Sequence, residues 1–197
     1  MIPISSDIPC INPIPVGLSL QYNVITPEKE KEIITWLDSR QWSNEISRRT
    51  QHFGFEYNYR SKDIIPGTPL QGPILEIANL LENAGLMKPV QCIVNEYYRN
   101  QGVAPHIDNL LFGPVISGLS IGDDGVMSFS RVNSMMQIER FECFLPRRSV
   151  VMLSGPARYD WKHSIQSKLT YIDSNGMTIS KSQDYRRISL TYRELTS

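Results

Sequence analysis

The chain is predicted to be an α+β protein, mainly β, with two helices near its start packed on one face of a two-sheet antiparallel structure. Helical periodicity is confined to the segment before Val90, and beyond it the sequence turns to short apolar runs broken by turn residues. The C-terminal run Arg187-Ile-Ser-Leu-Thr-Tyr-Arg193 alternates polar and apolar residues without a break. Helices first and strands afterwards segregate into a helical layer and a sheet layer, and the strand pattern alone supports a β-sandwich or jelly roll.

The first dozen residues, rich in Pro and Ile, read as an extended arm. Thr26 can cap a helix through Leu37, with Pro27 at the favoured first position and Ile33, Ile34 and Leu37 on an apolar stripe. Gln51–Arg60 reads as a strand placing Phe53, Phe55, Tyr57 and Tyr59 on one face. Pro73–Leu81 repeats the helical logic and Gly85 ends it. Strands are expected at Gln91–Tyr97, Ile116–Ile121, Val126–Val132, Met136–Phe144, Ser149–Ser154 and Arg187–Arg193. Tyr171–Ile179 reads as a hairpin around Asn175-Gly176, a two-residue turn signal.

A length of 197 residues suits one domain with a sizeable core, and no repeats, low-complexity tracts or long linkers interrupt it. No apolar run reaches the length of a membrane span, and the N-terminus Met1-Ile-Pro-Ile-Ser-Ser lacks the basic region of a signal peptide, so an intracellular protein is expected. Cys10, Cys92 and Cys143 are odd in number and far apart, which fits reduced thiols rather than a disulfide framework or a zinc cluster. Twenty basic residues balance twenty acidic ones, so no global field draws in nucleic acid. A nucleic-acid surface would have to be local, with Arg48, Arg49, Arg60, Lys62, Arg131 and Arg158 as candidates.

The chemistry centres on His106-Ile-Asp108. On an extended strand, side chains at i and i+2 project from one face about 6.5 Å apart, so the imidazole and carboxylate can converge on one ion. By itself such a tripeptide is more often a surface turn or a hydrogen-bonded couple. The chain has only three histidines, His52, His106 and His163, and His163 follows the buried-strand pattern Ser149–Ser154 in what reads as a loop. Two histidines and one carboxylate make the facial triad of non-haem Fe(II) oxygenases, which leaves adjacent positions open, whereas zinc favours a closed tetrahedron without redox chemistry. His52 is assigned a structural role.

Ile188, Leu190 and Tyr192 share one face of the C-terminal run, while Arg187, Ser189, Thr191 and Arg193 form a polar row on the other. Solvated surface arginines would give the same pattern. A pocket for a small dicarboxylate would use it differently, because a planar guanidinium binds carboxylate through two parallel charge-assisted bonds. Asn95 and Tyr97 share a face on an earlier strand and could add an amide and a phenol to the same anion.

The order Asn95-x-Tyr97, His106-x-Asp108, His163 and Arg187-x-Ser-x-Thr-x-Arg193 resembles the AlkB family of Fe(II)- and 2-oxoglutarate-dependent dioxygenases, over about Gln91 to Arg193. The resemblance implies a double-stranded β-helix, a jelly-roll core with the N-terminal helices on one sheet. It further implies one dioxygenase domain spanning residues 1–197, in which 1–89 hold the helices and a substrate-recognition lid and 90–197 the catalytic core. His106, Asp108 and His163 would ligate Fe(II). Asn95, Tyr97, Arg187, Ser189 and Arg193 would bind 2-oxoglutarate, with Arg187 on the distal carboxylate and Arg193 nearer the chelating one, and O2 would be the oxidant. The stretch from His163 to Arg187 exceeds that of the shortest members by the inserted hairpin, which disturbs no ligand.

Within the family, Arg48-Arg-Thr-Gln-His-Phe-Gly54 and Leu145-Pro-Arg-Arg-Ser-Val-Val151 resemble the branch whose oxygenase domain hydroxylates a modified wobble uridine in tRNA. Tyr57, Tyr59 and Arg60 fall on the lid and would border an opening where a flipped or single-stranded base stacks. Leu110 occupies the position, two past the metal aspartate, where repair enzymes for cationic methylated bases carry an acid. The expected substrate is therefore a modified or alkylated nucleobase in RNA or DNA, with no membrane and no obligate protein partner. Alternatives of another class are a protein side-chain hydroxylase on the same barrel and a nucleic-acid-binding scaffold without turnover. The scaffold would be expected to show a broken triad or a missing arginine, and neither occurs.

Overall fold

A computed structural model describes residues 14–58 and 63–196. The expected N-terminal arm lies outside them. Among the described residues, the major sheet has seven antiparallel strands in the order β1 (Leu18–Gln21), β9 (Ser149–Leu153), β6 (Phe112–Gly122), β13 (Arg186–Leu195), β4 (Gln91–Tyr98), β2 (Arg49–Asn58) and β3 (Asp63–Pro66). The minor sheet has four, β5 (Val103–His106), β10 (Lys162–Ile165), β7 (Gly125–Val132) and β8 (Ile138–Leu145). A separate hairpin pairs β11 (Thr170–Ile172) with β12 (Thr178–Ser180). The predicted mainly β jelly roll is therefore correct.

Both expected helices form. In α1 (Pro27–Asp38) the Thr26 hydroxyl accepts from the Lys29 N–H at 3.2 Å, satisfying one of the four amides a helix start leaves unpaired. α2 (Gly72–Asn83) ends when the Leu86 N–H reaches Leu81 O and the Gly85 N–H reaches Glu82 O, with Gly85 in the left-handed region. The helices cover the outer face of the major sheet: Ile33, Leu37, Ile74, Ile77 and Leu81 pack with Val94, Leu119, Ile121, Ile188, Leu190 and Tyr192. A second core fills the space between the sheets, built from Phe112, Ile116, Phe129, Phe141, Val151, Leu153 and Trp161.

Several details differ from the sequence reading. His106 is the last residue of β5, so Asp108 lies beyond the strand rather than on it. The segment after Ser154 is a short helix, α3 (Gly155–Tyr159), leading into β10, so His163 stands on a strand and not in a loop. β6 begins at Phe112 rather than Ile116, running through Pro114, whose exposed position tolerates a missing donor.

The Asn175-Gly176 hairpin forms but is not a two-residue turn. Ile172 pairs with Thr178, the Asp173 N–H bonds Met177 O, and the Gly176 N–H returns to Asp173 O. Gly176 has φ of 77°, the left-handed residue of a three-residue turn with a bulge. The Asp173 carboxylate accepts from the Asn175 and Met177 amides and thereby sets the longer loop.

Candidate metal centre

The β5–β10 register places His163 directly opposite His106, and their ring centroids are 4.4 Å apart. Asp108 turns in from the segment after β5, and one ligand atom from each of the three residues lies within 4.8 Å of the others. His106 Nδ1 sits 2.9 Å from Ala104 O, which fixes that nitrogen as the donor and leaves Nε2 as the free lone pair. His106 Nε2 is 3.6 Å from Asp108 Oδ1.

Asp108 is 6% exposed. Burial alone would raise its carboxyl, but Arg193, His106 and His163 outweigh it and hold the group well below the ordinary carboxylate range. Burial pushes His163 down to about 4, so its imidazole is neutral, the form that binds metal, at physiological pH. The Asp108 carboxylate raises His106. Asp108 Oδ2 and His163 Nδ1 have no hydrogen-bond partner among the described residues, a costly arrangement for buried polar atoms unless a ligand completes it.

The alternation of β13 supplies the rest. Its even-numbered residues face the helices, and Arg187, Ser189, Thr191 and Arg193 face inward, where Ser189 stands between Asn95 of β4 and Ser120 of β6. Arg187 is 1% exposed; its Nη2 donates to Ser120 Oγ at 2.7 Å, while Nε and Nη1 have no partner among the described residues. Its guanidinium lies 5.6 Å from the centroid of the buried Tyr97 ring. A Cβ on Gly125 would fall 2.6 Å from Arg187 Cδ, so glycine is what gives this side chain its room. Arg193 donates to Asp108 Oδ1 at 2.8 Å and to Gln91 Oε1 at 2.9 Å, joining the arginine row to the triad.

A cavity of about 1680 Å³ opens above the triad, its floor including Asn95, Tyr97, Ser189, Thr191 and Arg193. Ile116, Met127, Val151 and Leu153 form an apolar inner wall. One side of the mouth is the irregular stretch 40–46 together with Arg48, which carries no periodic signal and was not singled out as a wall of the site. Arg48, expected on a nucleic-acid surface, instead reaches inside: its Nε donates to Asn95 Oδ1 at 2.8 Å and its guanidinium lies 5.9 Å from the Tyr97 ring centroid.

Other candidate surface cations are also engaged. Arg49 pairs with the fully buried Glu96, Arg131 pairs with Glu139 and lies over Trp161, and Arg158 is buried. Arg60, Lys62 and Tyr59 lie outside the described residues, and Tyr57 is placed by its backbone pairing with Ile64. His52 is exposed on the cavity wall. Leu110 is 66% exposed and lies off the cavity lining.

Comparison with known proteins fits this geometry. The family model of the 2OG-Fe(II) oxygenase superfamily matches residues 21–193, and the chain belongs to that superfamily. An uncharacterized protein, L905, of Acanthamoeba polyphaga mimivirus is 31% identical over 188 residues, spanning 91% of this chain and 85% of its own length. The tRNA (carboxymethyluridine(34)-5-O)-methyltransferase alkbh8 of Xenopus tropicalis is 29% identical over 208 residues; the match spans 92% of this chain but only 32% of that protein. The solved structure of OsALKBH1 superposes with a TM-score of 0.67 at 14% identity, covering 94% of this chain and all of the other, a likeness of fold. Within the superfamily the chain is a member of the AlkB family and a 2-oxoglutarate-dependent dioxygenase, with Fe(II), 2-oxoglutarate and O2 as the reactants its chemistry requires. Among the described residues no helix is long and apolar enough to cross a membrane.

Proposed function

We propose that the protein oxidises a modified or alkylated nucleobase in RNA or DNA, with His106, Asp108 and His163 holding Fe(II) and Asn95, Tyr97, Arg187, Ser189 and Arg193 binding 2-oxoglutarate. The observation that carries the reading is the joined site: two imidazoles and a carboxylate meet at one point, and Arg193 links that point to a buried row with unused guanidinium donors. The donor set fits octahedral Fe(II) with positions left open. The unused Nε and Nη1 of Arg187 fit the distal carboxylate of a small diacid, and a lysine could not offer the same fork.

When bound, Fe(II) with 2-oxoglutarate and O2 supplies the oxidising power to hydroxylate a C–H bond, releasing succinate and CO2. The chain's own part is placement. Arg187 holds the cosubstrate by its far end, and Ser120 holds Arg187. Arg193 offsets the negative charge of Asp108 where a second carboxylate arrives. The hydrogen bond to Ala104 keeps His106 Nε2 aimed at the centre, and the apolar wall of Ile116, Met127, Val151 and Leu153 excludes water from the reacting atoms. On an N-methyl group the hydroxymethyl product breaks its C–N bond, releasing formaldehyde and leaving the demethylated N–H, whereas on a carbon substituent the hydroxyl stays.

A nucleic-acid substrate is supported by the AlkB membership and by the tRNA-modifying activity named for the Xenopus relative. The test is incubation of methylated DNA, methylated RNA and total tRNA with protein, Fe(II), ascorbate and 2-oxoglutarate, followed by mass spectrometry of nucleosides and of succinate. Conversion of a nucleoside coupled to succinate is expected. Oxidation of peptides with no change in any nucleoside would replace this reading with the side-chain hydroxylase. Full turnover by His106→Ala or Asp108→Ala would remove the triad from the metal.

A further inference from the structure

Arg158 lies in α3 and is 1% exposed, yet among the described residues no carboxylate forms an ion pair with its guanidinium. It bonds backbone carbonyls of one short segment instead: Nη1 donates to Asp108 O at 2.9 Å, and Nη2 to Asn109 O at 2.8 Å and Phe112 O at 3.3 Å. Burying a guanidinium costs several kcal/mol, on the order of what a well-formed ion pair returns, and an apolar side chain would fill the space more cheaply. The segment it holds links two strands, with an internal turn in which the Leu111 N–H bonds Asn109 Oδ1 and the Phe112 N–H bonds Asn109 O. β5 ends at His106, β6 begins at Phe112, and between them Asp108 has no ladder partner.

The position of α3 adds a second constraint. Ala157 and Trp161 anchor the helix region in the core between the sheets, and the Ala157 N–H bonds Val16 O. Five residues after Arg158 the chain delivers His163 on β10. One rigid turn therefore grips the segment carrying Asp108 and sets the strand carrying His163, although those two residues are far apart in sequence.

We propose that Arg158 is a positioning residue for the metal centre: by clamping the carbonyls of Asp108, Asn109 and Phe112, it fixes where the Asp108 carboxylate stands relative to His163. The inference rests on the triad being the metal site. It assigns Arg158 no contact with substrate or cosubstrate, and it explains why, among the described residues, the hydrogen bonds of this buried cation go to backbone oxygens while its guanidinium lies 4.9 Å from the Tyr159 ring centroid.

The test uses Arg158→Met and Arg158→Lys, read by Mn(II) binding to the iron-free protein, by amide hydrogen exchange and by thermal unfolding. Outer groups that orient metal ligands are worth about 10- to 100-fold in metal affinity. Arg158→Met is expected to weaken Mn(II) binding by at least about tenfold on that scale. Arg158→Lys, which keeps the charge and one donor direction, is expected to fall between Met and wild type. Exchange should accelerate in residues 107–112 while α1 stays as protected as in wild type. Wild-type Mn(II) affinity in Arg158→Lys and in any folded Arg158→Met overturns the clamp, as does a uniform rise in exchange across the chain. If Arg158→Met does not fold, Arg158→Lys decides by the same two readings. Failure of wild-type protein to take up Mn(II) at all overturns the metal-centre reading, and the clamp with it, an outcome distinct from equal binding by wild type and variant.

Discussion

Arg193 and Asp108 form a largely buried ion pair, Nη2 to Oδ1 at 2.8 Å, between the last inward residue of the arginine row and the carboxylate of the triad. Removing the cation strands a buried carboxylate beside His106 and His163. Arg193→Met should destabilise the iron-free protein by about 3 kcal/mol, the lower end of the cost of stripping one partner from a buried pair. Mn(II) should restore part of the loss by supplying a cation to Asp108. Thermal unfolding with and without Mn(II) checks this; equal destabilisation in both would mean the metal does not meet Asp108.

Gly125 controls Arg187 from behind. A methyl group there meets Arg187 Cδ at 2.6 Å, so Gly125→Ala displaces the guanidinium without removing it. The 2-oxoglutarate concentration for half-maximal succinate formation should rise about tenfold or more, the equivalent of weakening one charged hydrogen bond. Arg187→Lys should do the same with a similar maximal rate. An unchanged cosubstrate dependence in both variants would remove Arg187 from the proposed cosubstrate site.

Glu30 is one of the carboxylates that shape the acid limb of stability. Burial alone would raise its carboxyl, but Arg147, the Gly122 N–H and Arg148 outweigh it and hold it below its ordinary value. A depressed carboxylate contributes stability fully above its unfolded value, near pH 4.3, and loses it as pH falls through the lower folded value. Glu30→Gln should lower the melting temperature at pH 7 and flatten its decline below about pH 4.3. Parallel wild-type and variant curves across that window would assign the acid limb to other groups.

Two hairpins share one design. Asn133 bonds Gln137 O through its N–H, accepts the Met136 N–H on its carbonyl, and takes the Met135 and Gln137 amides on its side chain, as Asp173 does for its own loop. Where the second hairpin has Gly176, the first has Met136, with φ of 60° and 83% exposure. Met136→Gly should stabilise by up to about 1 kcal/mol, and Gly176→Met should destabilise by about 1–2, because only glycine adopts that conformation without cost. Urea midpoints of the two variants moving in the same direction would refute it.

Much of the inward row of the major sheet is legible in the sequence because β13 obeys a period of two while covered on both faces, so the shared face of Arg187, Ser189 and Arg193 follows from alternation alone. Asn95 and Tyr97 follow from the same rule on β4. What was missed lacks periodicity. α3 is too short to show a stripe, the wall at 40–46 is irregular, and Asp108 leaves its strand. Sequence points Arg48 and Arg158 to the surface because arginine is rarely buried, and only the fold reveals the backbone and side-chain oxygens that receive them.

The two-sided character of β13 also limits how this gene can drift. A one-residue insertion between Arg187 and Arg193 would send part of the arginine row into the helical core and turn leucine or tyrosine to the inward face, so the core and the inward row would be lost together. The β11–β12 hairpin carries no such double duty, and length variation should collect there, leaving the six-residue interval between the two arginines as the unit inherited whole.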